Sequence, residues 1–177
     1  MLLTYGEAIR EALYQEMKNN SSVIMFGEDI RYNLYGYTKG LYDEFGDRVI
    51  DIPLMENTII GMAIGASLQG LRPIVDLTVA NFLYTAMDQI VNMASKLRSM
   101  NNSDVPITIM CAEMDNMGEQ HSDRPHSLFR MIPGLKVSTP ESPQDAYTML
   151  RSAINDNDPV IYFSDRSMFY NKESIIL

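Results

Sequence analysis

The sequence predicts an α/β fold, doubly wound around a mainly parallel six-stranded sheet with helices on both faces. Three observations carry this. Short apolar, β-branched runs alternate with segments of helical period along most of the chain, the mark of a parallel sheet covered on both sides. At 177 residues the chain fits one domain with a proper core. No internal repeat or low-complexity segment interrupts the alternation.

The elements follow in order. Thr4 and Glu7 form a T-x-x-E capping box, in which each side chain answers the other's orphan backbone N–H. Behind it, Tyr5, Ala8, Ile9, Ala12, Leu13 and Met17 make the apolar stripe of a first helix, with Arg10, Glu11, Gln15 and Lys18 outward. Val23 to Phe26 is a short buried strand, closed by Gly27, Glu28 and Asp29. Residues 31–39 form a loop with Tyr32, Tyr35 and Tyr37, which reads equally as a ligand wall or a subunit contact. Residues 41–45 make a helical turn and Val49 to Ile52 the second strand. Ile60, Ala63, Ile64 and Ser67 set the period of the next helix, and Arg72 to Val79 is the third strand. A long helix is predicted from Asn81 to Met100, with Ala86, Ile90, Met93, Ala94 and Leu97 inward and Asn101, Asn102 and Ser103 as its stop. Residues 105–112 are the fourth strand, 113–125 an irregular stretch with both histidines, 127–132 a brief helix and 135–139 the fifth strand. Ser142 followed by Pro143 is an N-cap with Pro at the first helical position, and the helix runs on through 145–154. Residues 159–163 are the sixth strand. The expected organisation is a domain over 1–164 and a C-terminal tail over 165–177.

Composition narrows the function. The net charge of −9 argues against nucleic acid as a partner, because phosphate binding needs basic clusters. No apolar run reaches the roughly 18 residues of a membrane span. The N-terminus has no basic n-region or small-residue cleavage site, so it does not read as a secretory signal. The one cysteine, Cys111, excludes an internal disulfide and fits a reducing compartment such as the cytoplasm. It lies in an apolar run, where it reads as a small buried hydrophobe.

The stretch from Asp51 to Gly70 stands out. Glu56 precedes a helix containing Gly61 and Gly65, each costing it about 1 kcal/mol relative to Ala. Such a helix suggests close approach by another backbone. Glu56 reads either as a buried acid with altered proton affinity or as a first-turn acid favoured by the helix dipole. The G-x-G-x-x-G, P-loop and G-x-S-x-G patterns are absent. His121, Asp123 and His126 match no metal-ligand spacing, and Pro125 disfavours a shared helical face, so no metal is assigned to them. What remains is Glu56 after strand two, Phe82 after strand three and the histidine loop after strand four, gathered on one sheet edge. An acid, an aromatic plane and an imidazole suit a flat heteroaromatic ligand with a protonatable ring nitrogen, whose phosphates must be held elsewhere.

The ordered motifs LTYGEAIREAL, VIMFGED, VIDIPLMENTIIGMAIGASLQGLRPIVD, FLYTAMDQIVNMASKLR, GEQHS, IPGLKVSTPESPQDAYTMLRSAI and DPVIYF cover almost the whole chain. On them it resembles the beta subunits of thiamine-diphosphate-dependent 2-oxo acid dehydrogenases, in their transketolase-like pyrimidine-binding domain. The resemblance implies that Glu56 hydrogen-bonds the ring nitrogen of the cofactor's aminopyrimidine and shares a proton with it, as general acid–base catalysis requires. It implies that Phe82 stacks on the pyrimidine and that His121 is an active-site histidine, suited to orienting substrate or moving a proton. It sets Glu28 and Leu54 beside the cofactor, and Asp88 and Gln89 in helix packing. It further implies an alpha-type partner subunit that brings the diphosphate and Mg²⁺ site, an alpha2beta2 heterotetramer, and a lipoyl acyltransferase as acyl acceptor. A structural K⁺ near 153–158 is implied as well, although that stretch reads equally as an acidic helix end.

Three departures accompany the resemblance. Family members continue into a further C-terminal domain. A Gly-rich run before the histidine is replaced by AEMDNMGE, and DRPHSLF follows GEQHS. The expected activity is decarboxylation of a 2-oxo acid, or acyloin cleavage, with acyl transfer. The alternatives are two-carbon transfer by a transketolase-like subunit of a split enzyme and a non-catalytic stabilising subunit.

Overall fold

The computed structural model describes all 177 residues. The capping box forms in both directions: Glu7 N–H donates to Thr4 Oγ1 at 3.1 Å, and Thr4 N–H donates to Glu7 Oε2 at 2.7 Å. It joins strand β1 (Leu2–Thr4) to helix α1 (Tyr5–Asn19), whose predicted stripe is buried throughout. Strand β2 (Val23–Gly27) follows, then α2 (Leu41–Phe45), β3 (Val49–Asp51), α3 (Glu56–Leu68) and β4 (Arg72–Val79). Beyond these come α4 (Leu97–Asn101), β5 (Thr108–Glu113), α5 (His126–Arg130), β6 (Lys136–Ser138), α6 (Pro143–Asn155), β7 (Val160–Asp165) and β8 (Lys172–Ser174). Ser142 caps α6 by accepting from Asp145 N–H, with Pro143 behind it.

Six strands form one sheet in the order β3-β2-β4-β5-β7-β6, every pair parallel. Alternate residues of each strand feed two cores. Val23, Met25, Ile74, Met110 and Tyr162 face α1 and α6. Ile24, Phe26, Val75, Ile109 and Phe163 face α3 and the segment after β4. The sheet is thus covered on both faces, as the alternation predicts. The chain leaves β2 toward β3 and leaves β4 toward β5 on the other side. The β2–β4 boundary is therefore the switch point, where a crevice opens beyond the strand ends.

One expectation is corrected. The long helix from Asn81 to Met100 is not one α-helix: a 3-10 helix (Ala80–Ala86), a π-helical turn (Gln89–Ala94) and α4 replace it. Thr85 and Ser95 hydroxyls donate to the carbonyls of Phe82 and Val91, the back-bonding that bends helices. Ala86, Ile90, Ala94 and Leu97 still point inward, but the changed pitch turns Met93 out to solvent. Within the tail over 165–177, β8 pairs antiparallel with β1, and Met1 N donates to Ile175 O at 2.7 Å. A three-residue edge strand is too short for a readable period. No helix is long and apolar enough to cross a membrane.

Candidate active site

All parallel strands end on one edge, so the segments after β2, β4, β5 and β7 converge there. They enclose a cavity of about 510 Å³ lined by Glu28, Leu54, Phe82 and His121, with Tyr35, Thr78, Met114 and Arg166 among the other walls. Four of the five predicted site residues therefore meet in one place. The Phe82 and His121 rings pack edge to face, with centroids 5.5 Å apart and planes at 73°. Both also border a second hollow of about 520 Å³, so the pair forms a shared partition. A larger surface cavity of about 690 Å³, between Val91 and Gly134, carries no acid or imidazole and lies apart from these residues.

Glu56 begins α3 and is only half buried; it does not line the cavity wall. The acid withdrawn from water is Glu28, 4% exposed. Its Oε1 accepts from Met55 N–H, the residue just before Glu56, at 3.3 Å, whereas Oε2 is buried with no hydrogen-bond partner. Burial, and then the charge of Glu56, push the Glu28 carboxyl up to about 7. The sequence leaves Glu56 open between a buried acid and a first-turn acid, and its half-buried place in the first turn agrees with the second. Packing of β2 against β4 decided for Glu28, because Gly27 lets the chain turn directly beside Asp76. A Cβ at Gly27 would stand 2.9 Å from the Asp76 carbonyl oxygen.

Asp76 supports the other wall. It is buried in β4, accepts from the Tyr37 hydroxyl and from Thr78 N–H at 2.9 Å each, and burial raises its carboxyl to about 6. Thr78 takes φ +59° at a register shift in β4. A β-branched residue in that region stores strain, and such residues cluster at functional sites. Arg166 was missed by the sequence reading. Its guanidinium lies over the rings of Phe169, Tyr35 and Tyr170 at 4.7, 5.4 and 5.5 Å, and it forms no ion pair within the chain. Its only sequence signal is an arginine directly after a buried strand. An acid pair, an aromatic face, an imidazole and an unneutralised cation can together bind a flat protonatable ring and an anionic group beside it.

The stretch 153–158 has its own cations. Arg72 donates to the carbonyls of Ile154 and Asp156, while Lys136 and Arg98 pair with Asp156 and Asp158.

Residues 2–171 match the family described as transketolase, pyrimidine binding domain. Among similar proteins, the pyruvate dehydrogenase E1 component subunit beta of Gracilaria tenuistipitata var. liui is 42% identical over 93% of this chain and 53% of its own length. The acetoin:2,6-dichlorophenolindophenol oxidoreductase subunit beta of Cupriavidus necator is 41% identical over 92% and 53%. The 2-oxoisovalerate dehydrogenase subunit beta of Bacillus subtilis is 35% identical over 95% and 54%. The chain thus spans about half the length of the curated relatives it matches. Among solved structures, a split-gene transketolase described as an inactive beta4 tetramer superposes with a TM-score of 0.75 at 20% identity, over 93% of this chain and 51% of that one. That likeness concerns the fold.

Proposed function

The chain belongs to the transketolase pyrimidine-binding-domain family, and from that premise we propose that it is the beta-type half of a thiamine-diphosphate enzyme that decarboxylates a 2-oxo acid or cleaves an acyloin. One observation carries the reading: a buried acid, coupled to a second acid, shares a cavity with the Phe82–His121 pair at the switch point of the sheet. These groups fit an aminopyrimidine. Phe82 offers a ring face for stacking, and Glu28 Oε2 is a buried polar atom in want of a partner. Bound thiamine diphosphate supplies a nucleophilic carbon and an electron sink for cleaving the bond beside a carbonyl.

The chain's own residues do the rest. Glu56, at the first turn of α3, holds a proton at the pyrimidine ring nitrogen and takes it back, while Glu28 beside it, its carboxyl pushed up to about 7, carries less negative charge near neutral pH than an ordinary carboxylate. His121 orients the substrate carbonyl or hands it a proton. Arg166, fixed by the aromatic rings it covers, holds an anionic substrate group. Leu54, Met114 and Met117 give the cavity an apolar side toward the reacting atoms. The diphosphate and Mg²⁺ belong to an alpha-type partner in an alpha2beta2 assembly, because this chain has no phosphate-cradle motif. A potassium ion at 153–158 would share that segment with Arg72, Arg98 and Lys136. A lipoyl acyltransferase would take the acyl group.

The test is Glu56→Gln in the complex with the partner. Activity is expected to fall about 10²- to 10⁴-fold, with the melting temperature of this half-exposed variant nearly unchanged. Full activity would sink the catalytic role and favour a stabilising subunit. Calorimetry that finds no thiamine diphosphate and Mg²⁺ binding to the complex would remove the cofactor itself. Turnover of a ketose donor with an aldehyde acceptor, and of no 2-oxo acid, would replace decarboxylation by two-carbon transfer.

A further inference from the structure

His121 can serve the cavity only if its loop is held, and the loop over residues 114–125 has little regular structure beyond one 3-10 turn. Its internal hydrogen bonds curl it without placing it: Ser122 Oγ donates to Gly118 O, and His121 N–H donates to the same carbonyl. The placing is done largely by one side chain. Arg124 Nη2 and Nε donate to the two carboxylate oxygens of Asp115 at 2.8 and 3.2 Å, which closes the end of the loop on its beginning. Arg124 Nη1 donates to Asp165 Oδ2 at 2.9 Å and to Glu113 Oε2 at 3.4 Å. The closed loop is thereby fastened to the C-terminal ends of β7 and β5. Glu113, 4% exposed, also meets His126 Nδ1 at 2.7 Å, so both sides of Pro125 are pinned to one buried carboxylate.

We propose that Arg124 is a positioning residue that holds His121 edge to face against Phe82 by joining Asp115, Asp165 and Glu113 through one guanidinium. The geometry needs a planar fork. A lysine keeps the charge but cannot grip Asp115 with two parallel bonds and Asp165 at the same time. Other ties of the loop are slighter, among them Asp123 N–H to Asn81 Oδ1 at 3.2 Å and the Tyr35 hydroxyl to Met114 Sδ at 3.8 Å. Removing the guanidinium leaves three carboxylates facing one another, and their repulsion drives the loop away from β5 and β7. Asp165 is the residue before Arg166, so the same fastening ties the histidine loop to the segment bearing the free cation of the cavity.

This inference rests on the reading of His121 as an active-site residue, but its test needs no cofactor, partner or turnover. The chain has two histidines, so imidazole C–H correlations in a ¹H–¹³C spectrum give two sets of signals, assigned with His121→Asn. Phe82→Leu marks where the His121 signals fall without the neighbouring ring. Arg124→Ala is expected to move them to that position, with Arg124→Lys in between, all at temperatures well below melting. Asp115→Ala, at an exposed site, tests the same staple if Arg124→Ala does not fold, and is expected to shift the signals in the same direction. His121 signals unmoved in every folded variant, with only the melting temperature lowered, would overturn the proposal and leave the cofactor reading untouched.

Discussion

Glu28 is where residue-scale physics is most exposed to measurement. In the folded chain its carboxyl titrates at about 7 against an ordinary value of 4.5, because burial and the nearby Glu56 disfavour the charge. The folded chain therefore keeps this proton at pH values where the unfolded chain has already released it. Stability falls as pH rises from about 4.5 to about 7 and stays at the lower level above. Glu28→Gln keeps an acceptor for Met55 N–H and removes the charge, so it is expected to flatten that fall. With solvent at the cavity mouth screening the charge, the gain at pH 8 is about 1 kcal/mol, roughly 2–4 °C in melting temperature. Calorimetric scans of both proteins from pH 4 to pH 8 check it; parallel curves would show that Glu28 is ionised and solvated in the fold. The residue types of this site were legible, since an acid, an aromatic and an imidazole each follow a strand. Which acid is desolvated was not, because neither neighbour in sequence sets the depth of a side chain under a loop from elsewhere.

At the scale of elements, the segment between β4 and β5 teaches most. Its apolar period was correct in kind, and Ala86, Ile90, Ala94 and Leu97 are buried. Its pitch departs from that period, and the end of the π-helical turn packs tightly against the turn at Gly134. That glycine takes φ +82°, and a Cβ on it would overlap the Ser95 carbonyl oxygen at the end of the π-helical turn. Gly134→Ala is thus expected to cost about 3 kcal/mol, through both the left-handed backbone and the overlap. Urea unfolding would measure it; a loss below about 0.5 kcal/mol would mean that the turn and the π-helical segment adjust independently. The capping box of α1 and the Ser–Pro start of α6 were legible to the residue, since such signals act within one turn of helix.

At the scale of the molecule, α3 presents a face that this chain does not cover. Ile59, Ile60, Ala63 and Ile64 are buried against the sheet, while Met62, Gly65 and Leu68 are exposed, and a Cβ at Gly65 would meet nothing within 4 Å. No backbone of this chain therefore accounts for Gly65, and we assign that role to a neighbouring subunit. Gly65→Leu is expected to leave the isolated chain as stable as before, or more so by up to about 1 kcal/mol from helix propensity, and to lower the assembled mass in light scattering. Unchanged stoichiometry would reject the assignment. The sequence by itself determined the alternation of six strands with helices, the parallel sheet, the caps, and the order in which Glu56, Phe82 and His121 follow the strands. Those features obey local periods and nearest-neighbour hydrogen bonds, which a linear text records. Only the tertiary structure decided that Glu28 is the buried acid, that Arg166 enters the cavity, that Arg124 gathers three carboxylates, and that the β4–β5 segment changes pitch. Each of these depends on burial and charge contributed by residues distant in the chain, and solvent exclusion is a property of the packed whole.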